Sequence, residues 1–336
     1  MSQSNFQTRL ETFLSANNQT LNIQQLTPDA STREYFRIYW KGQSAIACVY
    51  PPDEQGKSQF EACLDVTNVF LAENLPVAKI LAADAEIGII IHEDFGNIIL
   101  RDVLQKSDYE TRDNLLNEAI ILIAKIQTAT SKAFELNSIA SHLKFDEVKL
   151  LWELNFFKEH YFTSFKNEPL SKIEDESLTS EFVEISRELE SQAKVLTHRD
   201  FHAANLMLKN GELKIIDHQD ARIGAASYDL VSLLLDRVSE PPSRTWVREK
   251  RLFFLTEREK LGLETLDPDK FAKEFHLQTI QRCLKATGTF SYQSTFRQKT
   301  YFIPYMKPML QIVLQACQRL ERFPNLQRIL HEQLNS

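Results

Sequence analysis

The sequence predicts an α+β protein of two lobes, a small antiparallel-sheet lobe followed by a larger, mainly helical lobe. Three observations support this fold class. Alternating aromatic and β-branched runs lie mostly before Gly96. After Gly96, apolar residues recur at the spacing of long helices. The chain has 336 residues, which suits two domains better than one core. We therefore expect the lobes at residues 1–95 and 96–336.

Local patterns predict the order of elements in the first lobe. Apolar residues at helical spacing from Phe6 to Leu14 predict an opening helix. Two strand-like runs flank Lys41-Gly42-Gln43 and predict a hairpin, which Pro51-Pro52 ends because proline cannot donate to a β-ladder. A helix and two further strands should follow, at residues 58–73, 78–82 and 88–91.

The second lobe reads as helices interrupted by brief strands. Helical periodicity covers residues 109–129, 146–165, 175–194, 228–237, 246–261, 271–285 and 301–323. Short apolar runs predict strands at residues 195–196, 206–208 and 213–216. Lys209-Asn210-Gly211 separates the last two runs and predicts a tight turn between them.

Composition excludes several classes of protein. A net charge of -7 argues against a nucleic-acid binder, which needs a surplus of Lys and Arg. The four cysteines form no CxxC pair, so neither a zinc site nor a disulfide framework is expected. The N-terminal segment lacks the apolar core of a signal peptide, and no apolar run reaches membrane-spanning length. We expect a cytoplasmic protein with no membrane partner.

The most informative segment runs from His198 to Asp217. It combines His198-Arg199-Asp200 with Asn205, and Asp217 ends an apolar run beyond them. Phosphoryl transfer needs a carboxylate that orients the attacking hydroxyl, and an amide and a second carboxylate that hold Mg²⁺ on the nucleotide. Each residue alone has a simpler interpretation as a turn cap or strand end. Their joint spacing favours Asp200, Asn205 and Asp217 as catalytic residues, with ATP and Mg²⁺ as cofactors.

Residues 198–205, Asp217 and the run from Tyr228 to Leu234 resemble the aminoglycoside phosphotransferase and choline kinase superfamily. This resemblance implies a protein-kinase-like bilobal fold, with a nucleotide-binding N-terminal lobe and a catalytic, substrate-binding C-terminal lobe. It also implies that Asp229 and His198 support the catalytic loop. Alternatively, Asp229 is simply an acidic residue in the first turn of a helix, where negative charge is favourable.

The spacing after Asp217 restricts the acceptor. Eleven residues separate Asp217 from Asp229, too few for the long activation segment with which protein kinases display a peptide substrate. We therefore expect a small-molecule acceptor.

A narrower resemblance spans nearly the whole chain. Several segments are similar to bacterial cell-wall sugar kinases that phosphorylate the anomeric hydroxyl of N-acetylmuramate and N-acetylglucosamine. These segments are residues 29–37, 51–52, 93–96, 217–221, 228–234 and 284–290. The resemblance implies an amino sugar as the acceptor.

One feature of most kinases in the aminoglycoside phosphotransferase and choline kinase superfamily is missing, as it also is from the similar cell-wall sugar kinases. The second strand of most superfamily members provides a Lys to the nucleotide phosphates, and residues 45–50 contain none. Arg33 and Arg37 are candidates for phosphate binding, since guanidinium pairs well with phosphate, and Ser31 and Thr32 could add hydroxyl donors. Surface positions on a strand are the alternative for the two arginines. The resemblance places Glu93 and Phe95 at a hinge whose backbone groups bind adenine. The alternative role for the Glu93 carboxylate is to cap the next turn.

Competing functions remain open at this point. The motifs are equally compatible with a kinase for another hydroxylated metabolite, such as an aminoglycoside or a choline-like amine. The missing strand lysine also allows an inactive nucleotide-binding scaffold. The sequence does not predict the oligomeric state.

Overall fold

A computed structural model describes residues 3–26 and 32–335. They form two compact units. The first contains the described residues of 1–108, 131–140 and 203–221, and the second those of 109–130, 141–202 and 222–336. Residues 203–221 thus belong to the same unit as the N-terminal region, although they lie far along the chain.

The N-terminal part of the chain alternates short strands with helices. In chain order its elements are α1 (Gln3–Ala16), β1 (Gln24–Leu26), β2 (Glu34–Trp40), β3 (Gln43–Val49), α2 (Glu54–Ala72), β4 (Ile80–Asp84), β5 (Ile89–Glu93) and α3 (Leu100–Lys106). The strands form one antiparallel sheet in the order β1-β2-β3-β5-β4. The predicted hairpin is confirmed as β2 and β3, and Gly42 turns the chain with a φ of 80°.

The remaining elements are mainly helices. They are α4 (Tyr109–Thr128), α5 (Thr130–Glu135), α6 (Ile139–His142), α7 (Glu147–Phe157), a π-helix (Lys158–Lys166), α8 (Lys172–Gln192), β6 (Val195–Thr197), a 3₁₀ turn (Ala203–Asn205), β7 (Leu206–Lys209), β8 (Glu212–Ile215), β9 (Arg222–Gly224), α9 (Tyr228–Leu235), α10 (Arg244–Lys260), α11 (Pro268–Arg297), a 3₁₀ turn (Thr300–Phe302), α12 (Ile303–Leu320) and α13 (Pro324–Asn335). The predicted fold class, a small antiparallel sheet with a mainly helical remainder, is confirmed. Strands β1 and β9, each of three residues, were not predicted.

The five-stranded sheet has a core on each face. Because side chains alternate along a strand, Ala47 and Val49 of β3 pack in the cluster that contains the apolar face of α1. Cys48 and Tyr50 point to the other face, where they pack with Phe60 of α2. The N-cap of α2 is Asp53, whose carboxylate accepts the N–H of Gly56 at 2.8 Å.

Strands β7 and β8 form the predicted second hairpin, with Asn210 and Gly211 in the left-handed conformation at φ values of 55° and 82°. The hairpin is joined to the N-terminal region of its unit by the N–H of Ile215, which donates to the carbonyl oxygen of Pro76 at 2.9 Å. This bond anchors β8, the strand that leads into Asp217.

Helix α11 is the longest helix of the second unit, with 30 residues. It continues to Arg297, well beyond the predicted end at residue 285. Gly288 is a poor helix former, but a Cβ at this position would lie 2.7 Å from the Cα of Phe157 in α7. Close packing against α7 therefore overrides local helix propensity. Within residues 3–26 and 32–335, no helix has the length and apolar character needed to cross a membrane.

Candidate active site

Asn205 and Asp217 lie at the open end of the β7–β8 hairpin. Leu206 is paired with Ile215, so the residues just outside these positions are neighbours. The N–H of Ile216 donates to the carbonyl oxygen of Asn205 at 3.1 Å. Asp217 follows with a left-handed φ of 63°. An amide and a carboxylate are oxygen donors of the kind that Mg²⁺ prefers alongside substrate phosphates, so this pair suits a magnesium site.

Arg33 is buried and contacts Asp217. Its Nη2 donates to Oδ1 of Asp217 at 2.9 Å, and the two side chains are 10% and 38% exposed. The guanidinium carbon lies 5.6 Å from the ring centroid of Tyr35 and 6.0 Å from that of Tyr50. Burial alone would lower the pKa of Arg33, but Tyr35, Cys48 and Asp217 together raise it. A permanent cation therefore lies on the side of the sheet that Cys48 and Tyr50 face.

Arg37 is engaged elsewhere. Its guanidinium donates to both carboxylate oxygens of Asp94, at 2.7 and 3.2 Å, and to the carbonyl oxygen of Gly96 at 3.0 Å. Burial would raise the pKa of Asp94, but hydrogen bonds from Arg37, Ser44 and the Gly96 N–H lower it. The contacts of Arg37 therefore stabilise the segment after β5, and its guanidinium is already paired with a carboxylate.

The segment from Glu93 to Phe95 is fastened by Lys209, the last residue of β7. The ammonium donates to a carboxylate oxygen of Glu93 at 2.8 Å and to the carbonyl oxygen of Asp94 at 2.9 Å. It also lies 5.4 Å from the ring centroid of Phe95, which is buried. Within the first unit, Lys209 therefore ties the segment after β5 to the end of β7.

The residues after Asp217 are also held in place. A ring nitrogen of His218 lies 2.8 Å from the Thr67 hydroxyl, and the imidazole stacks on Phe70 of α2 with centroids 5.1 Å apart. The Gln219 amide donates to Oδ1 of Asp217 at 3.0 Å. These contacts connect the Asp217 loop to α2, a connection that the sequence did not predict.

In the second unit, Asp229 supports the backbone before Asp200. The buried Asp229 carboxylate accepts the N–H of His198 at 2.6 Å and that of Arg199 at 3.0 Å. Burial raises the pKa of Asp229 to about 6, while His198 and Arg199 act in the opposite direction. Arg199 has a left-handed φ of 80°. The two hydrogen bonds hold this unusual backbone immediately before Asp200.

Asp200 lies against two cations of α11. Its Oδ1 accepts from Nη1 of Arg282 at 3.1 Å and from Nζ of Lys285 at 3.3 Å. Burial would raise the pKa of Asp200, but Lys285, Arg282 and Arg199 hold it well below its usual value. The carboxylate is therefore ionised at any physiological pH.

Arg282 and Lys285 were not recognised from the sequence, apart from the inclusion of Lys285 in a family-like segment. They lie more than 80 positions from Asp200. The feature that points to them is the presence of two cations within the most buried stretch of α11, where Gln281, Cys283 and Leu284 are also buried.

The predicted site residues fall in both units. The first unit contains Thr32, Arg33, Glu93, Phe95, Asn205 and Asp217, and the second contains His198, Asp200 and Asp229. Thr32 is exposed in a bend before β2. Ser31 lies outside the described residues. Within the first unit, Arg33 and Asp217 are brought into contact, as are His198 and Asp229 within the second.

Comparisons with known proteins agree with these motifs. The phosphotransferase enzyme family matches residues 22–263. A curated relative from Neisseria meningitidis serogroup B, named N-acetylmuramate/N-acetylglucosamine kinase, is 31% identical over 267 residues, which cover 78% of this chain and 76% of the relative.

Solved structures show the same fold at low sequence identity. The ADP-bound aminoglycoside phosphotransferase APH(2'')-Ib is 14% identical with a TM-score of 0.57, and the match covers 91% of this chain and 97% of that one. The choline kinase LicA from Streptococcus pneumoniae is 13% identical with a TM-score of 0.58, over 92% and 98% of the two chains. The protein-kinase-like fold implied by the motifs is confirmed, and the chain belongs to the phosphotransferase enzyme family.

Proposed function

We propose that this protein is an ATP-dependent kinase that phosphorylates the anomeric hydroxyl of an N-acetylated amino sugar, N-acetylmuramate or N-acetylglucosamine. The observation that carries the proposal is the 31% identity to a relative of that name over most of both chains. The contacts of Asp217 within the first unit and those of Asp200 within the second support it.

The first unit provides the groups for the nucleotide. Asn205 and Asp217 would hold Mg²⁺, which when bound neutralises charge on the ATP phosphates. Arg33 lies against Asp217 and would turn its guanidinium toward the same phosphates, in place of the missing strand lysine. Ser31 and Thr32 precede it and would contribute hydroxyls. Backbone groups from Glu93 to Phe95, fastened by Lys209, would contact adenine.

The second unit provides Asp200, the carboxylate that would receive the proton of the acceptor hydroxyl. Asp200 orients the anomeric hydroxyl, whose oxygen attacks the γ-phosphorus. A new oxygen–phosphorus bond forms, the bond to the bridging oxygen breaks, and its electron pair leaves with ADP. The hydroxyl proton passes to the Asp200 carboxylate. Asp229 maintains the backbone that points Asp200 at the acceptor.

The charges around Asp200 argue against a cationic acceptor. An aminoglycoside or a choline-like amine needs carboxylates that are not already neutralised. Asp200 contacts Arg282 and Lys285, and Asp236 contacts Arg282 at 2.8 Å. These two carboxylates are matched by two cations, so this part of the site favours a neutral or anionic sugar over an amine.

A screen of ADP release tests the proposal. Purified protein is assayed with Mg-ATP and N-acetylmuramate, N-acetylglucosamine, glucose, choline or an aminoglycoside. We expect turnover of an N-acetylated sugar and an acid-labile 1-phosphate product. Faster turnover of choline or the aminoglycoside would favour the alternative acceptor class, and ATP binding without any turnover would favour an inactive scaffold.

A further inference from the structure

We propose that Arg282 and Lys285 are positioning residues for phosphoryl transfer, because together they hold Oδ1 of Asp200 and so orient its carboxylate toward the acceptor hydroxyl. The proposal rests on the proposed function, in which Asp200 receives the hydroxyl proton. It adds a pair of residues to the reaction that no catalytic motif of the sequence contains.

Arg282 is held from several directions. Its side chain is 2% exposed and donates to the carbonyl oxygen of Arg199 at 3.1 Å, to Asp200 at 3.1 Å and to Asp236 at 2.8 Å. Its Nη1 also lies 3.4 Å from the Tyr228 hydroxyl. A guanidinium is planar, so these contacts leave it little freedom. The Asp200 carboxylate is therefore held on a rigid support.

Lys285 completes the pair from the next turn of α11. Residues three apart lie on the same side of a helix, so both cations reach the same carboxylate oxygen. The Lys285 side chain is 17% exposed, and its Nζ lies 3.3 Å from Oδ1 of Asp200. Burial lowers the pKa of Lys285, as does Arg282, while Asp200 and Glu153 raise it. A buried ammonium is retained here because it faces a carboxylate.

The charges that face Asp200 come from two elements. Arg199 belongs to its own loop, and Arg282 and Lys285 belong to α11, with Asp236 on the far side of Arg282. His202 also faces Asp200, but burial lowers the pKa of His202 to about 4, so its imidazole is neutral at neutral pH. The sum of the charges holds the pKa of Asp200 low, which makes the carboxylate a weak base. It would therefore take the proton only as the oxygen–phosphorus bond forms, and would release it readily after the transfer.

The pH dependence of kcat/KM for the sugar separates this role from a merely structural one. An ammonium 3.3 Å from Oδ1 of Asp200 favours the ionised carboxylate, so its loss should raise the pKa of Asp200. In Lys285→Gln we therefore expect the acid limb of the profile to move to higher pH than in the wild type, toward the usual range of an aspartate. Lys285→Arg should restore the wild-type limb.

Lys273→Gln is the matched control, since Lys273 is an exposed cation of the same helix. Its profile should coincide with that of the wild type. Arg282→Ala would remove the cation that contacts the buried Asp236 carboxylate and could unfold the protein. Arg282→Lys keeps the charge but loses the planar fork. We expect its kcat to fall about tenfold or more, with KM for ATP unchanged.

An acid limb in Lys285→Gln that coincides with that of the wild type would overturn the proposal, whatever the turnover. So would an Arg282→Lys variant with wild-type kcat. Failure of the proposed function looks different, because the wild type would then turn over no amino sugar. In that case the same pH series is run with the acceptor that the screen identifies, since the cations act on Asp200 whichever hydroxyl it faces.

Discussion

Arg33→Ala is the substitution that tests how this chain compensates for the missing strand lysine. Arg33 is buried near Cys48 and Tyr50, the side chains that face α2. Its guanidinium contacts the carboxylate of Asp217. A hydrogen bond to a charged group contributes about 1.5–3 kcal/mol. Since each 1.4 kcal/mol is tenfold, loss of one phosphate contact should raise KM for ATP by about ten- to hundredfold. Burial of Arg33 near the rings of Tyr35 and Tyr50 reduces solvent screening, so tenfold is the minimum that we expect.

The assay is steady-state ADP release at saturating sugar and fixed free Mg²⁺. Arg33→Lys should give an intermediate KM, because it keeps the charge and loses the planar fork. Arg37→Ala should raise KM less, because its guanidinium is engaged with Asp94 and the Gly96 carbonyl. Lys41→Ala, in the exposed β2–β3 turn, should leave KM unchanged.

An Arg33→Ala variant with wild-type KM for ATP would refute this reasoning. Arg33 would then serve only to pair with Asp217, and the phosphates would be bound by backbone groups and Mg²⁺ alone. An equal rise of KM in Arg37→Ala would also contradict it, because the effect would then follow loss of any arginine near the sheet.

The other predictions concern the two carboxylates and one close helix contact. Asp200→Asn should lower kcat by about 10²-fold or more at nearly unchanged ATP affinity, and steady-state kinetics that retain over a third of the turnover would contradict its role. Asp217→Ala should abolish Mg²⁺-dependent ATP binding, and calorimetry that shows wild-type affinity would make Asp217 structural. Gly288→Ala should destabilise the protein by about 1–3 kcal/mol, because the added Cβ would lie 2.7 Å from the Phe157 Cα; an unchanged Tm would show that α7 shifts at little cost.

Much of the local structure was predictable because it depends on short-range pattern. The alternation in β2 and β3 and the Asn210-Gly211 turn each specify a hairpin from adjacent residues. The second hairpin in turn makes Asn205 and Asp217 neighbours, so their spacing in the sequence already implied proximity. The division of the chain between residues 95 and 96 stays a prediction, as do the catalytic roles of the site residues.

The sequence by itself determined the fold class, the hairpins and the family, since periodicity, turn residues and motif spacing are properties of the linear chain. Only the tertiary structure decided which distant side chains meet. Arg33 lies 184 positions from Asp217, and Lys285 lies 85 positions from Asp200. No local pattern specifies such pairs, because they depend on how α11 and the strands pack. The same packing extends α11 past Gly288, against its local helix propensity.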